Sequence, residues 1–110
     1  MTKQRDILLV PFPFSDQIGR KVRPVLVLSN DDYNKLGEDL IVCGITSNLK
    51  PNKYSIIIDE KNLESGNLYQ NSAVKVDNLL KISKNLIIKD IGILNKATFL
   101  KVLNILKEIF

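Results

Sequence analysis

Two of the three arginines in this chain, Arg20 and Arg23, fall within the stretch GRKVRPVLVLSN, residues 19 to 30. Arg23 stands immediately before Pro24 and the apolar run PVLVL. A short apolar run without alternation reads as a strand buried on both faces. The residue before a proline is excluded from helical geometry, so Arg23 is held extended at the mouth of that strand. The remaining positive charge is supplied mainly by lysine, among 16 Lys plus Arg. Arginine differs in offering a rigid, permanently charged fork that grips phosphate or carboxylate at two points. By residue type and place, Arg20 reads as an ordinary loop cation and Arg23 as a functional one.

The chain has no histidine and a single cysteine, Cys43. It therefore cannot build a Ser-His-Asp triad, a Cys-His pair or a nitrogen-and-sulfur zinc site. Cys43 lies inside the apolar run LIVCGI and reads as core packing, and a lone cysteine is consistent with a reducing compartment. Asp31 and Asp32 read as helix-capping residues, since no second carboxylate cluster accompanies them. There is neither a P-loop nor a dinucleotide fingerprint, so no cofactor and no metal are expected. What remains is arginine, lysine, hydroxyls, carboxylates and backbone amides, a set suited to phosphate chemistry.

Three further groups could take part. Thr46 and Ser47 end the apolar run DLIVCGITS, where a hydroxyl can either meet a ligand or serve the following turn; residue type alone leaves the two readings equal. In AVKVD, Lys75 and Asp77 share one face of a strand with Val74 and Val76 on the other, a pattern that a solvated ion pair explains. In ILLVPFPF, Phe12 and Phe14 point the same way; packing at the end of a barrel is the stronger reading and base stacking the functional one. Pro11 and Pro13 suit a strand edge or an exit from the sheet.

The elements that must position these groups are mostly strands. Apolar runs at 7–14, 24–28, 39–47, 53–59 and 72–77 are separated by turn signals with no helix between most of them. That spacing predicts a mainly β chain, a compact barrel or sandwich rather than parallel βαβ units. Ser29, Asn30 and the two aspartates favour a turn or short capped helix, EKNLESGNLYQN reads as a polar loop, and a turn followed by a strand around Leu86 to Lys89 is expected in the ambiguous region 79–94. NKATFLKVLNILKEIF predicts a C-terminal helix capped by Asn95, with Phe99, Val102, Leu103, Leu106, Ile109 and Phe110 on the packed stripe. At 110 residues and 45% hydrophobic content, one domain over 1–110 with a modest core is expected. The net charge of +4 permits an acidic partner such as nucleic acid without requiring one. The N-terminus carries no signal-like apolar segment and no run approaches the length that spans a bilayer, so a cytoplasmic protein without a membrane partner is expected.

RDILLVPFPFSD, KVRPVLVLSNDDYN, GITSNLK and SAVKVD, in this order and spacing, resemble the MazF/PemK family of toxin endoribonucleases of type II toxin-antitoxin systems. The resemblance spans nearly the whole chain. It implies a small SH3-like antiparallel β barrel closed on one side by the C-terminal helix, forming a homodimer. It implies metal-independent, sequence-specific cleavage of single-stranded RNA, in which the ribose 2′-hydroxyl attacks the adjacent phosphorus and a 5′-hydroxyl leaves. Arg23, Thr46, Ser47 and Asp77 would be catalytic, with Arg23 on the phosphate, the hydroxyls on its non-bridging oxygens and Asp77 as base. Arg20, Lys75 and Phe14 would bind substrate. A cognate antitoxin would occupy the same groove, and DNA would be met only indirectly through it. Two departures stand out: Lys75 where the family commonly has arginine, and Arg5 where it usually has glycine. The rival expectation is a non-catalytic toxin, or an RNA- or protein-binding module, of the same fold.

Overall fold

The structure is a computed structural model that describes residues 1–12 and 21–110, without the Phe12 side chain. Phe14, Arg20 and the Phe12–Phe14 pairing lie outside the described residues. Among the described residues seven strands follow the chain in order: β1 (Asp6–Phe12), β2 (Lys21–Val27), β3 (Asp39–Thr46), β4 (Ser55–Ile58), β5 (Leu63–Gly66), β6 (Ser72–Ser83) and β7 (Lys89–Leu94). A short helix α1 (Asp31–Leu36) precedes β3, and α2 (Lys96–Ile109) ends the chain. The strands form one antiparallel sheet, ordered β4-β6-β3-β2-β1-β7-β5, that curls into a half-barrel. The expected mainly β fold with a C-terminal helix is the observed one.

Both faces of the central strands are buried, which is why their sequences do not alternate. Ile7, Leu26, Cys43, Ile45, Val74 and Val76 face one core, which α2 covers with Phe99 and Val102. Leu8, Val10, Val25, Val27, Leu40, Val42 and Ile82 face a second. β6 serves both by breaking register with β3. Cys43 pairs with Leu79 and Gly44 with Lys75, so Val76, Asp77 and Asn78 have no opposite number. An odd number of extra residues reverses which side chains face which side. Val74 and Val76 therefore enter the first core, while Leu80 and Ile82 meet the second.

The prolines lie where ladders end. β7 pairs with β1 only from Asp6 to Leu9, so Pro11 lies beyond that partner although β1 is an interior strand. β3 pairs with β2 only from Val25 to Val27, so Pro24 lies just outside that ladder. A residue without a backbone N–H cannot extend a ladder at no cost, and here it opens the sheet at one end.

Local expectations hold at the helix caps. Asn30 accepts from Tyr33 N at 2.8 Å, and Asn95 accepts from Thr98 N at 2.8 Å. Three expectations are corrected. The strand placed around Leu86 to Lys89 is instead a continuation of β6 to Ser83, a 3₁₀ turn over Lys84–Leu86 and β7 from Lys89. Ser83 sets that stop by accepting from Asn85 N at 3.1 Å. The polar loop after Asp59 contains β5, whose pairing with β7 gives order to a sequence with little strand character. Phe110 lies past the last helical residue and is 89% exposed, so it leaves the packed stripe.

Arg5 adopts φ +78°, in the left-handed region that side chains disfavour and glycine does not. Its backbone N–H donates to Val27 O at 3.0 Å and its carbonyl accepts from Leu94 N at 2.9 Å, which holds the conformation. Its guanidinium donates to Leu94 O at 2.9 Å and to Glu64 Oε1 at 3.0 Å, a compensation that glycine would lack. Arg5→Ala keeps the strain and loses the anchors, whereas Arg5→Gly loses both. Denaturant titration should find Arg5→Gly more stable than Arg5→Ala by about 1 kcal/mol; equal stabilities would mean that the conformation is unstrained.

Asp6 is buried beside Asp90 and accepts from Lys3 N at 2.8 Å. Burial raises its pKa above the ordinary carboxyl range, the Lys3 N–H opposes this, and the Asp90 charge raises it further. A raised folded-state pKa means that this group's contribution is fully present at low pH and is lost as pH rises through the raised value. Asp90→Asn removes the like charge and keeps the oxygen that accepts from Gly92 N. Thermal melts should place Asp90→Asn above wild type at pH 7, with the gap closing in mild acid; an unchanged or lower midpoint at pH 7 would exclude repulsion between the two carboxyls.

Candidate functional site

β2, the end of β3 and the register break of β6 border a cavity of about 200 Å³ at the margin of the second core. Val25, Gly44 and Lys75 form one row across the three strands. Arg23 and Thr46 lie two residues further along their strands on the same face, as strand periodicity requires. Pro24 ends the β2–β3 ladder at this point, so Arg23 is half-buried at the rim. Gly44 leaves the floor without a side chain, and Asn78 comes back over it from the β6 excursion.

A second cavity of about 340 Å³ shares Thr46 and Lys75 with the first. Its wall is the turn after β3, built by local hydrogen bonds. Thr46 Oγ1 accepts from Asn48 N at 3.1 Å, Asn48 Oδ1 from Lys50 N at 3.1 Å, and Asn52 Oδ1 from Tyr54 N at 2.8 Å. Thr46 thus has a turn role while its hydroxyl proton remains available to a ligand. The first cavity is walled largely by apolar groups and the second by amides, Lys50 and Ser55.

Of the sequence-predicted residues, Arg23, Thr46 and Lys75 come together. Ser47 and Asp77 are exposed and line neither cavity. Among the described residues the ion pairs are Arg5–Glu64 and Lys81–Asp39, so Lys75 and Asp77 do not form the pair that would explain their alternation. The excursion separates their tasks, with Lys75 still in the ladder and Asp77 outside it. Among the described residues no group of three His, Cys, Asp or Glu side chains is placed to hold a metal.

Sequence reasoning missed Gly44, Asn78 and the amide-rich turn. A signal for Asn78 was present: Val74 and Val76 occupy every second position on a buried face, and the next such position is a carboxamide. A polar residue there announces that the strand leaves register. Cys43 packs in the first core as expected, its thiol pushed up to about 12 by burial and then by the Asp77 charge. A thiol-specific disulfide reagent at pH 8 should leave Cys43 unmodified until denaturant is added; rapid labelling of the folded protein would overturn its burial.

Solved structures define the class of fold. A Mycobacterium tuberculosis toxin, MazF-mt6, superposes with a TM-score of 0.77 at 22% identity, covering 94% of each chain. An endoribonuclease in complex with its cognate antitoxin, from a mycobacterial species, gives 0.77 at 17% identity over 98% of this chain and 93% of that one. The Deinococcus radiodurans MazE-MazF structure gives 0.77 at 18% identity over 98% and 94%. No curated protein matches the sequence. The family model of the PemK-like, MazF-like toxins of type II toxin-antitoxin systems matches residues 3–110, and the chain belongs to that family.

Proposed function

We propose that this toxin is a metal-independent endoribonuclease acting on single-stranded RNA. The observation that carries the reading is the convergence of Arg23, Thr46 and Lys75 on one cavity whose lining, among the described residues, has no carboxylate. A surface of this sign raises the local concentration of a phosphodiester. The ribose 2′-hydroxyl is the nucleophile, so the protein has to orient the strand and stabilise charge on phosphorus.

The 2′-oxygen forms a bond to phosphorus, the bond to the 5′-oxygen breaks, and the products are a 2′,3′-cyclic phosphate and a 5′-hydroxyl. Arg23 grips the non-bridging oxygens and neutralises the charge that grows on them. Thr46 donates its hydroxyl proton to the same group, and Lys75 holds the backbone between the two cavities. Asp77, on the excursion beside the cavity, takes the 2′-hydroxyl proton, and the leaving oxygen is protonated from the Arg23 side or from water. Ser47 binds the strand outside the cavity, and Arg20 and Phe14, ahead of β2 in the sequence, also bind substrate. A homodimer extends the groove, and an acidic segment of a cognate antitoxin silences it by covering the same cations. DNA is met through the antitoxin, and the complex works in the cytoplasm.

The pure protein should cut mixed single-stranded RNA in the presence of chelator. Loss of one preorganised contact to a developing anion costs about 3 kcal/mol, roughly a hundredfold in rate. Arg23→Ala should lose cleavage by about that factor with an unchanged circular dichroism spectrum, and Thr46→Val by less. Full activity of a folded Arg23→Ala protein, or activity that chelator abolishes, would refute the mechanism; RNA binding without cutting by the wild type would leave a non-catalytic RNA-binding toxin.

A further inference from the structure

We propose that the Asn78 carboxamide, seated over Gly44, reads the edge of a single nucleobase held in the Arg23 cavity and so helps determine which RNA sequence is cut. The inference rests on the RNA-directed reading above and assigns the cavity's interior, where the mechanism uses only its rim. Pro24, Val25 and Leu80 give that interior apolar walls, and its volume of about 200 Å³ suits one planar ring rather than a charged backbone. The scissile phosphate lies at the rim, where Arg23, Thr46 and Lys75 meet, and the polar cavity beyond Thr46 and Lys75 takes the adjoining ribose and backbone.

A neutral carboxamide is poorly suited to gripping phosphate where Arg23 and Lys75 are already present. It carries a donor and an acceptor side by side, which match the paired groups on a base edge. Bases of single-stranded RNA are free to be splayed into such a pocket. Among the described residues the Asn78 side chain has no hydrogen-bond partner, so its donors and acceptor are unspent. Its position is set by an absence: a Cβ on Gly44 would lie 2.5 Å from Asn78 Nδ2 and 3.4 Å from Cγ. The obstructing atoms are the far end of a flexible side chain, so Gly44→Ala displaces the carboxamide without breaking the sheet.

The test measures cut-site sequences in a randomised RNA pool, together with affinities for short oligonucleotides that vary one base at a time and carry 2′-deoxyribose at the cut site. Asn78→Ala and Gly44→Ala should each flatten the preference at the same single position by about tenfold, leave preferences elsewhere intact, and be no worse combined than alone. Circular dichroism melts establish that both variants fold. Unchanged preference in Asn78→Ala, or an equal loss of affinity for every oligonucleotide, overturns base reading; the second result makes Asn78 a backbone contact. Base-selective binding by a wild-type protein that cuts nothing overturns the cleavage reading and leaves this one standing.

Discussion

Strand β6 is shared between two cores, and that sharing requires it to leave register with β3 by three residues. A strand in unbroken register presents alternate side chains to fixed faces along its whole length. With no excursion, Leu80 and Ile82 would continue the face of Val74 and Val76, and the second core would lose its β6 contribution. Asn78 would then point into the first core, where an unpaired carboxamide is costly to bury. The break in pairing at Cys43 and Gly44 thus settles the cores, the direction of Asn78 and the depression beside Lys75 together.

The opening of the sheet at the same end follows from chemistry on β2. Pro24 ends the β2–β3 ladder, and the strands diverge with Arg23 at the edge and Thr46 leading into the turn. The two prolines therefore act less as edge protection than as limits on pairing within interior strands. Local hydrogen bonds then keep the turn after β3 in shape, with the side-chain oxygens of Thr46, Asn48 and Asn52 each accepting from the N–H two residues on. A site built on ladder ends and capped turns is shaped by local hydrogen bonds while it stays open at the surface.

The N-terminal edge shows the same economy in a different form. Arg5 holds a left-handed conformation that glycine would adopt without strain, and its side chain ties β1 to the end of β7 and to β5. Beside it, Asp6 is buried against Asp90, so this corner carries electrostatic tension at neutral pH. Both features lie across the sheet order from the cavity, and their costs fall on stability rather than on the cationic site.

Much of this was legible in the residues. The unalternating apolar runs specify strands buried on both sides because neither face can tolerate a polar group, and Asn30 and Asn95 mark helix starts through hydrogen bonds that reach only three residues. The lack of histidine limits the available chemistry whatever the fold. Arg23 is identifiable because its neighbour Pro24 restricts it locally. What needed the tertiary structure was relation across strands: Gly44 matters through Asn78, Lys75 parts from Asp77 at the excursion, and β5 becomes a strand because β7 is beside it. Capping and periodicity are set by near neighbours, whereas register is decided by which distant side chains fill two cores at once, and no stretch of the chain carries that information alone.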